Sequence, residues 1–342
     1  MTAEITSKMA LYAAFSEKQP LPAIETLENF DFEQVEQDKY RPWKPTYNIT
    51  MAIEKDTASN LISIDATYAD YIKARAAIVR DFPTQSHGYT AAGIDSIYEI
   101  YTYLTETYLP TRYPAIFTLT QTHLHNAITQ LSLPLFSSSA PHDPATLLRL
   151  LAETVVEDIF LLKQDAAAAD GSSGAHRLVA FVCCAPSGFD PAEKLGLVLR
   201  DIHAPVPAYD KIGASMERFF ARIEVGKNVK RTNWSVTTHG NFFDVALNHV
   251  KGDAKVPEDQ DIDCSRAYAR IERQTLSRLP QTRAVMFSFK TYLYPLCDIK
   301  AEGLGPQLAD SIEGLKKGNA PGMWRYKGAV RWGKSVCEYL RA

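Results

Sequence analysis

The segment DPAEKLGLVLRDIHAPVP, residues 190–207, carries the signals of a capped helix that delivers a histidine to an apolar surface. Asp190 is a favourable N-cap, Pro191 suits the first helical position, and Glu193 completes a capping box. Four apolar residues follow at helical spacing and form one face: Leu195, Val198, Leu199 and Ile202. His203 lies on the same face, and the prolines that follow it end the helix. The pattern predicts that His203 is buried, either as a hydrogen-bonded core residue or as a metal ligand.

Composition narrows the class of protein. The chain has 342 residues, of which 46% are hydrophobic and 23% charged, values typical of a soluble protein with a sizeable core. A net charge of −3 gives no electrostatic reason to expect a nucleic acid or an anionic membrane as partner. The N-terminus lacks the apolar core of a secretory signal, and no apolar run approaches the ~20 residues of a membrane span. Five cysteines that suggest no disulfide framework lead us to expect a cytoplasmic protein.

The region after residue 150 has the pattern of a sheet. Five segments are strand-like: Val156–Lys163, His176–Cys184, Val229–Thr238, Ala267–Leu276 and Ala284–Leu293. Short helices, including one over Lys211–Ile223, separate the second segment from the third. This order predicts an α+β fold in which a five-stranded antiparallel sheet has its helices on one side.

The rest of the chain is expected to be mainly helical. Residues 1–40 are weakly patterned, and residues 41–150 combine helices with a short strand pair. The predicted strands are Thr46–Glu54 and Asn60–Asp65, and helices are predicted at Thr67–Phe82, Asp95–Leu109, within Pro110–Leu135 and after the cap residue Asp143. Residues 151–300 contain the sheet, and residues 301–342 form a helical extension. We expect residues 41–342 to fold as one compact unit.

Several segments, taken together, resemble one family: the α-subunit of haem-dependent oxidative N-demethylase and its relatives. In chain order they are RPWKPTYNITMAI (41–53), ISIDATYADYIKARAAIV (62–79), YLPTRYP (108–114), VVEDIFLL (155–162), APSGFDPAEKLGLVLRDIHAPVP (185–207), RTNWSV (231–236), RIERQTLSRLP (270–280) and YKGAVRW (326–332). One departure is Ala52, where the family tends to have glycine. The sequence contains no G-x-G-x-x-G, H-E-x-x-H or G-x-S-x-G motif that would favour a different chemistry.

The resemblance implies a PAS-like core that binds haem b, in which a histidine on a helix beside the sheet holds the iron. Carried over to this chain, it makes His203 the expected iron ligand. A neutral imidazole is a good ligand for iron, and an apolar helix face offers the porphyrin a packing surface. Leu199, Phe287 and Phe289 are the expected haem-packing residues.

Strand side chains would face dioxygen and the substrate on the other side of the iron. Arg231 or Arg270 would stabilise the negative charge that develops on dioxygen, and Glu272 would accept a hydrogen bond from an amine. The alternative for these residues is a structural ion pair between Glu272, Arg270 and Arg273, because buried charges must be paired.

The implied reaction is the removal of a methyl group from a small N-methylated amine by dioxygen, as a monooxygenase, giving formaldehyde and the demethylated amine. The electrons would come from a separate reductase that carries NADPH, flavin and an iron–sulphur centre. The basic, aromatic segment Trp324–Trp332 is either its docking surface or a packed helix. Two other functions stay open: a haem PAS-type gas sensor or binding protein without catalysis, and a biosynthetic haem oxygenase with a different substrate.

Other iron ligands are also open. His87 is the second candidate, in a loop, and Cys183 or Cys184 would supply a thiolate. The two cysteines lie in an apolar strand without a nearby base, which is more typical of inert packing residues. Four further histidines are expected in solvated loops: His142, His176, His239 and His249.

Overall fold

The computed structural model describes residues 22–136, 143–166, 174–250, 252 and 254–342. The strands are β1 Glu54–Lys55, β2 His87–Tyr89, β3 Phe117–Leu119, β4 His123–Asn126, β5 Ser132–Pro134, β6 Asp158–Gln164, β7 His176–Val182, β8 Val229–Thr237, β9 Tyr268–Arg278 and β10 Val285–Pro295. The helices are α1 Tyr68–Asp81, α2 Pro83–Ser86, α3 Ile94–Thr102, α4 Leu109–Arg112, α5 Pro144–Ala152, α6 Leu199–Ile202, α7 Asp210–Arg222, α8 Leu296–Ala301, α9 Gly305–Gly314, α10 Met323–Tyr326 and α11 Ala329–Arg341.

An antiparallel sheet of seven strands, in the order β1-β8-β9-β10-β6-β7-β2, forms the centre of the fold. Its five long strands are the five predicted segments, so the α+β class and the antiparallel arrangement are confirmed. The predicted number of strands is wrong, because β1 and β2 pair at the two edges and extend the sheet. These edge strands have two and three residues, too few to show the alternation that identifies a strand in a sequence.

Different parts of the chain cover the two faces of this sheet. The face that carries Phe160, Glu272 and Phe289, called the cavity face below, packs against α6 and α7. On the opposite face, Ile159 packs with the N-terminal helices and Ile271 with the C-terminal helices. Helices therefore cover both faces, and the expectation that they lie on one side is wrong. Burial from both sides explains why β6 and β7 are enclosed almost along their whole length.

Three helices predicted for the N-terminal region are present in the structure. The helix predicted at Thr67–Phe82 is confirmed as α1, and that at Asp95–Leu109 as α3 with a π-helical continuation over Tyr103–Tyr108. Asp143 caps α5 as predicted, since its carboxylate accepts from the Thr146 amide at 3.1 Å. Within the described ranges, no helix combines the length and the apolar character that crossing a bilayer requires.

Two other predictions for the N-terminal region hold only in part. Residues 110–112 belong to the short helix α4, as predicted, but the rest of Pro110–Leu135 contains β3, β4 and β5, which form a separate three-stranded antiparallel sheet in place of further helices. Of the predicted strand pair, Asn60–Asp65 is not a strand and only Glu54–Lys55 pairs with β8. The residues before β1 are instead anchored to the C-terminal region, where the Ile49 amide donates to Asn319 Oδ1 at 2.7 Å.

The segment 190–207 does not form the single helix that its sequence predicts. Gly196 has a φ of 82° and interrupts it between a 3₁₀ turn, Ala192–Lys194, and the one-turn helix α6. The Gly196 amide donates to the Leu178 carbonyl at 2.9 Å, and the Leu178 amide donates to the Leu197 carbonyl at 3.0 Å. The segment thus pairs with β7 at the position where a helix would have continued, because backbone groups beside a sheet edge take partners from that edge. Because the predicted helix is interrupted, His203 lies at the C-terminal end of the short helix α6.

A buried ion pair ties α1 to the sheet and to the loop after β7. Asp158 accepts from Arg75 Nη1 at 2.6 Å, from the Cys184 amide at 2.7 Å and from the Ala185 amide at 2.8 Å. Arg75 also donates to the carbonyl of Ala152, the last residue of α5, and to the carbonyls of the two residues before β6. Every charge removed from water here has a partner, which is what makes a buried pair tolerable. The loop that it fixes runs on into the wall of the cavity described below.

Ala52 should limit the stability of this fold. It has a φ of 48°, a left-handed conformation that strains any residue with a Cβ atom, and it is exposed. The substitution Ala52→Gly should therefore raise the free energy of unfolding by about 1 kcal/mol, measured by denaturant titration.

The matched control is Ala214→Gly, at an exposed position inside α7. It should lower the free energy of unfolding by roughly 0.5–1 kcal/mol, because glycine weakens a helix interior. Equal losses of stability in both variants would contradict the strain at Ala52.

Candidate functional site

A cavity of about 290 Å³ lies between the cavity face of the sheet and the helices α6 and α7. Its wall is apolar over most of the surface, with contributions from Leu162, Leu178, Ile202, Val206, Ile212, Met216 and Phe220. The extended residues before β1, the loop after β7 and α10 close its sides. The structure places six of the seven sequence-predicted site residues on this wall: Leu199, His203, Arg231, Glu272, Phe287 and Phe289.

His203 enters the cavity from the helix side. Its Nδ1 lies 2.8 Å from the Leu199 carbonyl, and its ring stacks on Tyr209 with centroids 4.8 Å apart and planes 4° apart. A carbonyl can only accept, so Nδ1 carries the proton and Nε2 keeps its lone pair. Within the described ranges, Nε2 has no hydrogen-bond partner. This is the arrangement of a metal-binding imidazole whose orientation is fixed by a hydrogen bond from the opposite nitrogen.

The surroundings of His203 favour its neutral form. Burial lowers the pKa of the imidazole, and the nearby cations Lys194 and Arg231 lower it further. The hydrogen bond with Leu199 acts in the opposite direction but does not reverse the shift. A neutral imidazole is the form that coordinates a metal ion.

Three phenylalanines form an apolar wall on the cavity face. The Phe160 ring lies 5.7 Å from the Phe289 ring and 6.2 Å from the Phe287 ring, and Phe287 and Phe289 are 5.6 Å apart. Leu199 faces the same cavity from α6. A porphyrin needs an apolar slot with an axial ligand on one side, and the residues present fit that requirement.

The other end of the cavity face is polar because two strands align their polar side chains. Strand pairing sets Arg231 opposite Gln274 and Asn233 opposite Glu272. Glu272 Oε2 accepts from Gln274 Nε2 at 2.8 Å and from Asn233 Nδ2 at 3.4 Å. These two amide donors hold the carboxylate in place, so that Glu272 is a fixed acceptor on the cavity wall.

Lys327 joins this polar end and is a residue that sequence reasoning missed. The side chain is only 4% exposed, and Nζ donates to Asn233 Oδ1 at 3.1 Å and to the Trp234 carbonyl. Since Asn233 accepts from Lys327 with its oxygen, its amide nitrogen must face Glu272. Burial lowers the pKa of Lys327 to about 8, against the opposing effect of Glu272. Its position in a C-terminal segment far along the chain from β8 gave no signal of this contact.

Arg231 and Arg270, both predicted to act on dioxygen, have different environments. Arg231 lines the cavity, and its buried Nε has no hydrogen-bond partner in the described ranges. Burial lowers the pKa of Arg231, partly offset by Tyr47 and Glu272. Arg270 is 1% exposed, lies outside the cavity wall and donates to four backbone carbonyls, among them Ala185 O at 2.6 Å. Its position is that of a clamp between two loops.

The alternative ion pair between Glu272, Arg270 and Arg273 is not formed. Arg273 lies on the opposite face of the sheet, where its Nη2 is 3.2 Å from Asp56 Oδ2 and 2.6 Å from the Asn60 carbonyl. Alternation along β9 separates Arg273 from Glu272, as it must for adjacent residues of a strand.

The other candidate ligands lie away from the cavity wall. His87 lies on the edge strand β2, with Nδ1 3.1 Å from Ser86 Oγ. Cys183 and Cys184 are buried, and burial raises the pKa of both thiols, for Cys184 to about 12. A thiol with such a pKa is protonated at neutral pH and is a poor ligand.

The histidines expected in solvated loops have varied positions. His176 is fully buried in β7, with Nδ1 2.8 Å from Glu217 Oε2, so that expectation is wrong for it. His249 lines the cavity and stacks on Tyr326 with centroids 4.3 Å apart. His239 is half-buried and lies 3.5 Å from Asp244. His142 lies outside the described residues.

A phosphate-loop pattern in the C-terminal region does not form a phosphate site. The sequence GAVRWGKS, residues 328–335, matches G-x-x-x-x-G-K-[ST]. Its residues form the first turns of α11, whereas a phosphate loop requires a glycine-rich turn between a strand and a helix. Gly333 packs so closely on Trp324 that a Cβ atom would lie 2.2 Å from its ring. Gly333 therefore serves the packing of α11 against α10, and Gly328 caps α11 with a φ of 74°. Trp332 is buried, as expected if this segment is a packed helix.

Comparison with known protein families identifies a match that covers most of the chain. A family described as haem-dependent oxidative N-demethylase, alpha subunit-like, matches residues 52–337, which is most of the chain. The matched range contains the polar end and the apolar wall of the cavity. Of the residues that line the cavity, only those before residue 52 in the extended segment lie outside the range.

Lys327 should make stability depend on pH. Its pKa is about 8 in the folded state and near 10.5 in the unfolded state, so the unfolded state binds more protons between these values. The free energy of unfolding of the wild type, minus that of Lys327→Met, should therefore rise by roughly 1–3 kcal/mol from pH 8 to pH 10.5.

Denaturant titrations at several pH values measure this difference. Lys334→Met is the matched control, because it removes the same charge from an exposed position of α11. A difference for Lys327 that stays constant or falls over this range would contradict the lowered pKa.

Proposed function

Because the chain belongs to the family of haem-dependent oxidative N-demethylase alpha-subunit-like proteins, we propose that it is a haem b enzyme that demethylates a small N-methylated amine with dioxygen. The observation that carries the proposal is the placement of His203. Its Nδ1 is fixed by the Leu199 carbonyl, and it lines the same cavity as the apolar wall and the polar end of the sheet. In this proposal His203 Nε2 holds the iron, while Leu199, Phe287 and Phe289 pack on the porphyrin.

Haem, when bound, supplies the reduction of dioxygen. The overall reaction consumes one N-methyl amine, one dioxygen, two electrons and two protons. One oxygen atom becomes attached to the methyl carbon, the carbon–nitrogen bond then breaks to give formaldehyde and the demethylated amine, and the second oxygen atom leaves as water. The methyl carbon gives up two electrons as it becomes formaldehyde, and an electron donor supplies the other two that reduce the two oxygen atoms.

The polar end of the cavity supplies an acceptor for the amine and positive charge for the reduction of dioxygen. Glu272 accepts a hydrogen bond from the amine and so orients the N-methyl group. Arg231 and Lys327 supply a positive potential where negative charge develops as dioxygen is reduced, which is most effective in an enclosed site. Lys327 also fixes Asn233 and thereby the Glu272 carboxylate. The apolar wall excludes water.

The electron donor in this proposal is a separate reductase with NADPH, a flavin and an iron–sulphur centre. The sequence supports it because it has no dinucleotide-binding fingerprint and no cysteine cluster for an iron–sulphur centre. We also propose a PAS-like core. The five long antiparallel strands support this proposal. Among them β10, the last in the chain, lies at the centre of the sheet, and helices lie between β7 and β8.

The absorption spectrum of the purified chain with haem tests the proposal. Wild type should show a Soret band of histidine-ligated haem, and His203→Ala should lose that ligation. His249→Ala is the matched control, because His249 lines the same cavity, and it should keep the axial ligation of the wild type. Formaldehyde should form when haem-loaded wild type receives a reductant and N-methylated amines under air.

Three outcomes would contradict parts of this account. Unchanged ligation in His203→Ala would refute the ligand assignment, and absence of a Soret band would refute the cofactor. Reversible binding of carbon monoxide or dioxygen without formaldehyde from any amine would favour the gas-sensing function over the enzyme.

A further inference from the structure

Arg231 is half-buried and differs from the other enclosed cations of the described ranges in having no hydrogen bond or ion pair, although Tyr47 and Glu272 are close enough to affect its pKa. Arg75 lies 2.6 Å from Asp158, Lys290 lies 2.5 Å from Asp65, and Arg270 donates to four carbonyls. Lys327 donates to Asn233 and to the Trp234 carbonyl. The Arg231 guanidinium lines the cavity, and its Nε, like that of Arg270, is buried without a hydrogen bond. The two arginines differ at the Nη atoms, which in Arg270 donate to backbone carbonyls and in Arg231 have no hydrogen bond within the described residues. An enclosed guanidinium without a partner is unfavourable unless a ligand supplies the anion.

Glu272 provides the complementary charge on the same cavity wall. Arg231 pairs with Gln274 across the strands, so Glu272 is its diagonal neighbour, with Cα atoms about 7–8 Å apart. The two side chains line the same cavity. No ion pair joins them in the described residues, so a small ligand that carries both an amine and a carboxylate can contact the two side chains at once.

Charge balance favours such a ligand over a simple alkylamine. The polar end holds the cations Arg231 and Lys327 and the single carboxylate of Glu272. A simple alkylammonium ion would add a third positive charge and leave Arg231 without an anion. A zwitterion adds no net charge, and its carboxylate matches the planar guanidinium in a two-bonded pair.

We propose that the substrate is an N-methylated α-amino acid, bound with its carboxylate on Arg231 and its amine on Glu272. The assignment as a substrate rests on the proposed function, while the binding of the zwitterion does not. Lys327, which keeps its own partners, then remains to supply positive potential at the reacting centre. The side chain that distinguishes one amino acid from another would face the apolar wall.

The anion on Arg231 has one other possible source, a haem propionate, since both are carboxylates. Lys194 also lines the cavity, on the side of His203, where its Nζ donates to the Ile202 carbonyl at 3.2 Å. A propionate near Lys194 would leave Arg231 to the substrate. The two sources predict different effects of the same substitution.

Calorimetric titration of the chain, with and without haem, tests the proposal with sarcosine and sarcosinamide. The two ligands share the N-methyl amine and differ in the carboxylate. Wild type should bind sarcosine about 10- to 100-fold more tightly than sarcosinamide, as expected for a charge-assisted pair. Arg231→Gln should lose this preference, and Arg231→Lys should keep part of it. Lys230→Gln is the matched control: it removes a charge from the neighbouring residue of β8 and should keep the preference.

Two results would overturn the proposal. The first is equal binding of the two ligands by wild type, which needs no variant. The second is an Arg231→Gln variant that retains haem poorly but keeps the preference for sarcosine, which would assign Arg231 to a propionate. An Arg231-dependent preference in a chain that binds no haem would refute the proposed enzyme and leave the amino-acid site standing.

Discussion

A guanidinium or ammonium group that is removed from water must find its hydrogen bonds within the protein, and this requirement shapes the molecule. Arg75 and Asp158 join the N-terminal helices to the sheet, and Arg270 clamps the loop after β7 to the loop after β8. Lys290 and Asp65 do the same on the opposite face of the sheet. Each of these groups donates to carbonyls or carboxylates, although Arg270 Nε itself has no partner in the described residues. The polar end of the cavity departs from the pattern at Arg231, and we therefore place the ligand there.

The geometry of the sheet gives the cavity one polar end and one apolar wall. Alternation along β8 and β9 brings Arg231, Asn233, Glu272 and Gln274 to one face, while the strands β6 and β10 give that same face its phenylalanines. The helix side contributes His203, fixed by the last turn of α6. In the proposed function, iron is held from the helix side and the polar residues act from the sheet side. A substrate between them meets an apolar surface and a charged one.

The five long strands were predictable because each is a run of strand-forming residues long enough to show a pattern in the sequence. The edge strands β1 and β2 have two and three residues and are too short to show one. The predicted single helix over residues 190–207 is wrong at Gly196, where hydrogen bonds with Leu178 outweigh the helical pattern. Those partners lie across a sheet edge that no local pattern reveals. His203 nevertheless lines the cavity, and its proposed role as a ligand did not depend on the length of its helix.

The polar end of the cavity was predictable only in part, for a similar reason. Arg231 and Glu272 stand out as charges inside strands, but Arg231 and Arg270 look alike until their partners are known. Lys327 contacts Asn233 across 94 positions of the chain, and a lysine in a basic segment has no local sign of such burial.

A crystal structure of the haem-loaded chain should show iron bound to His203 Nε2 and the porphyrin packed against Phe287 and Phe289. The Glu272 carboxylate should lie on the opposite side of the porphyrin from His203. Iron bound to another side chain, such as His249, or a porphyrin outside the cavity, would contradict the proposed haem site.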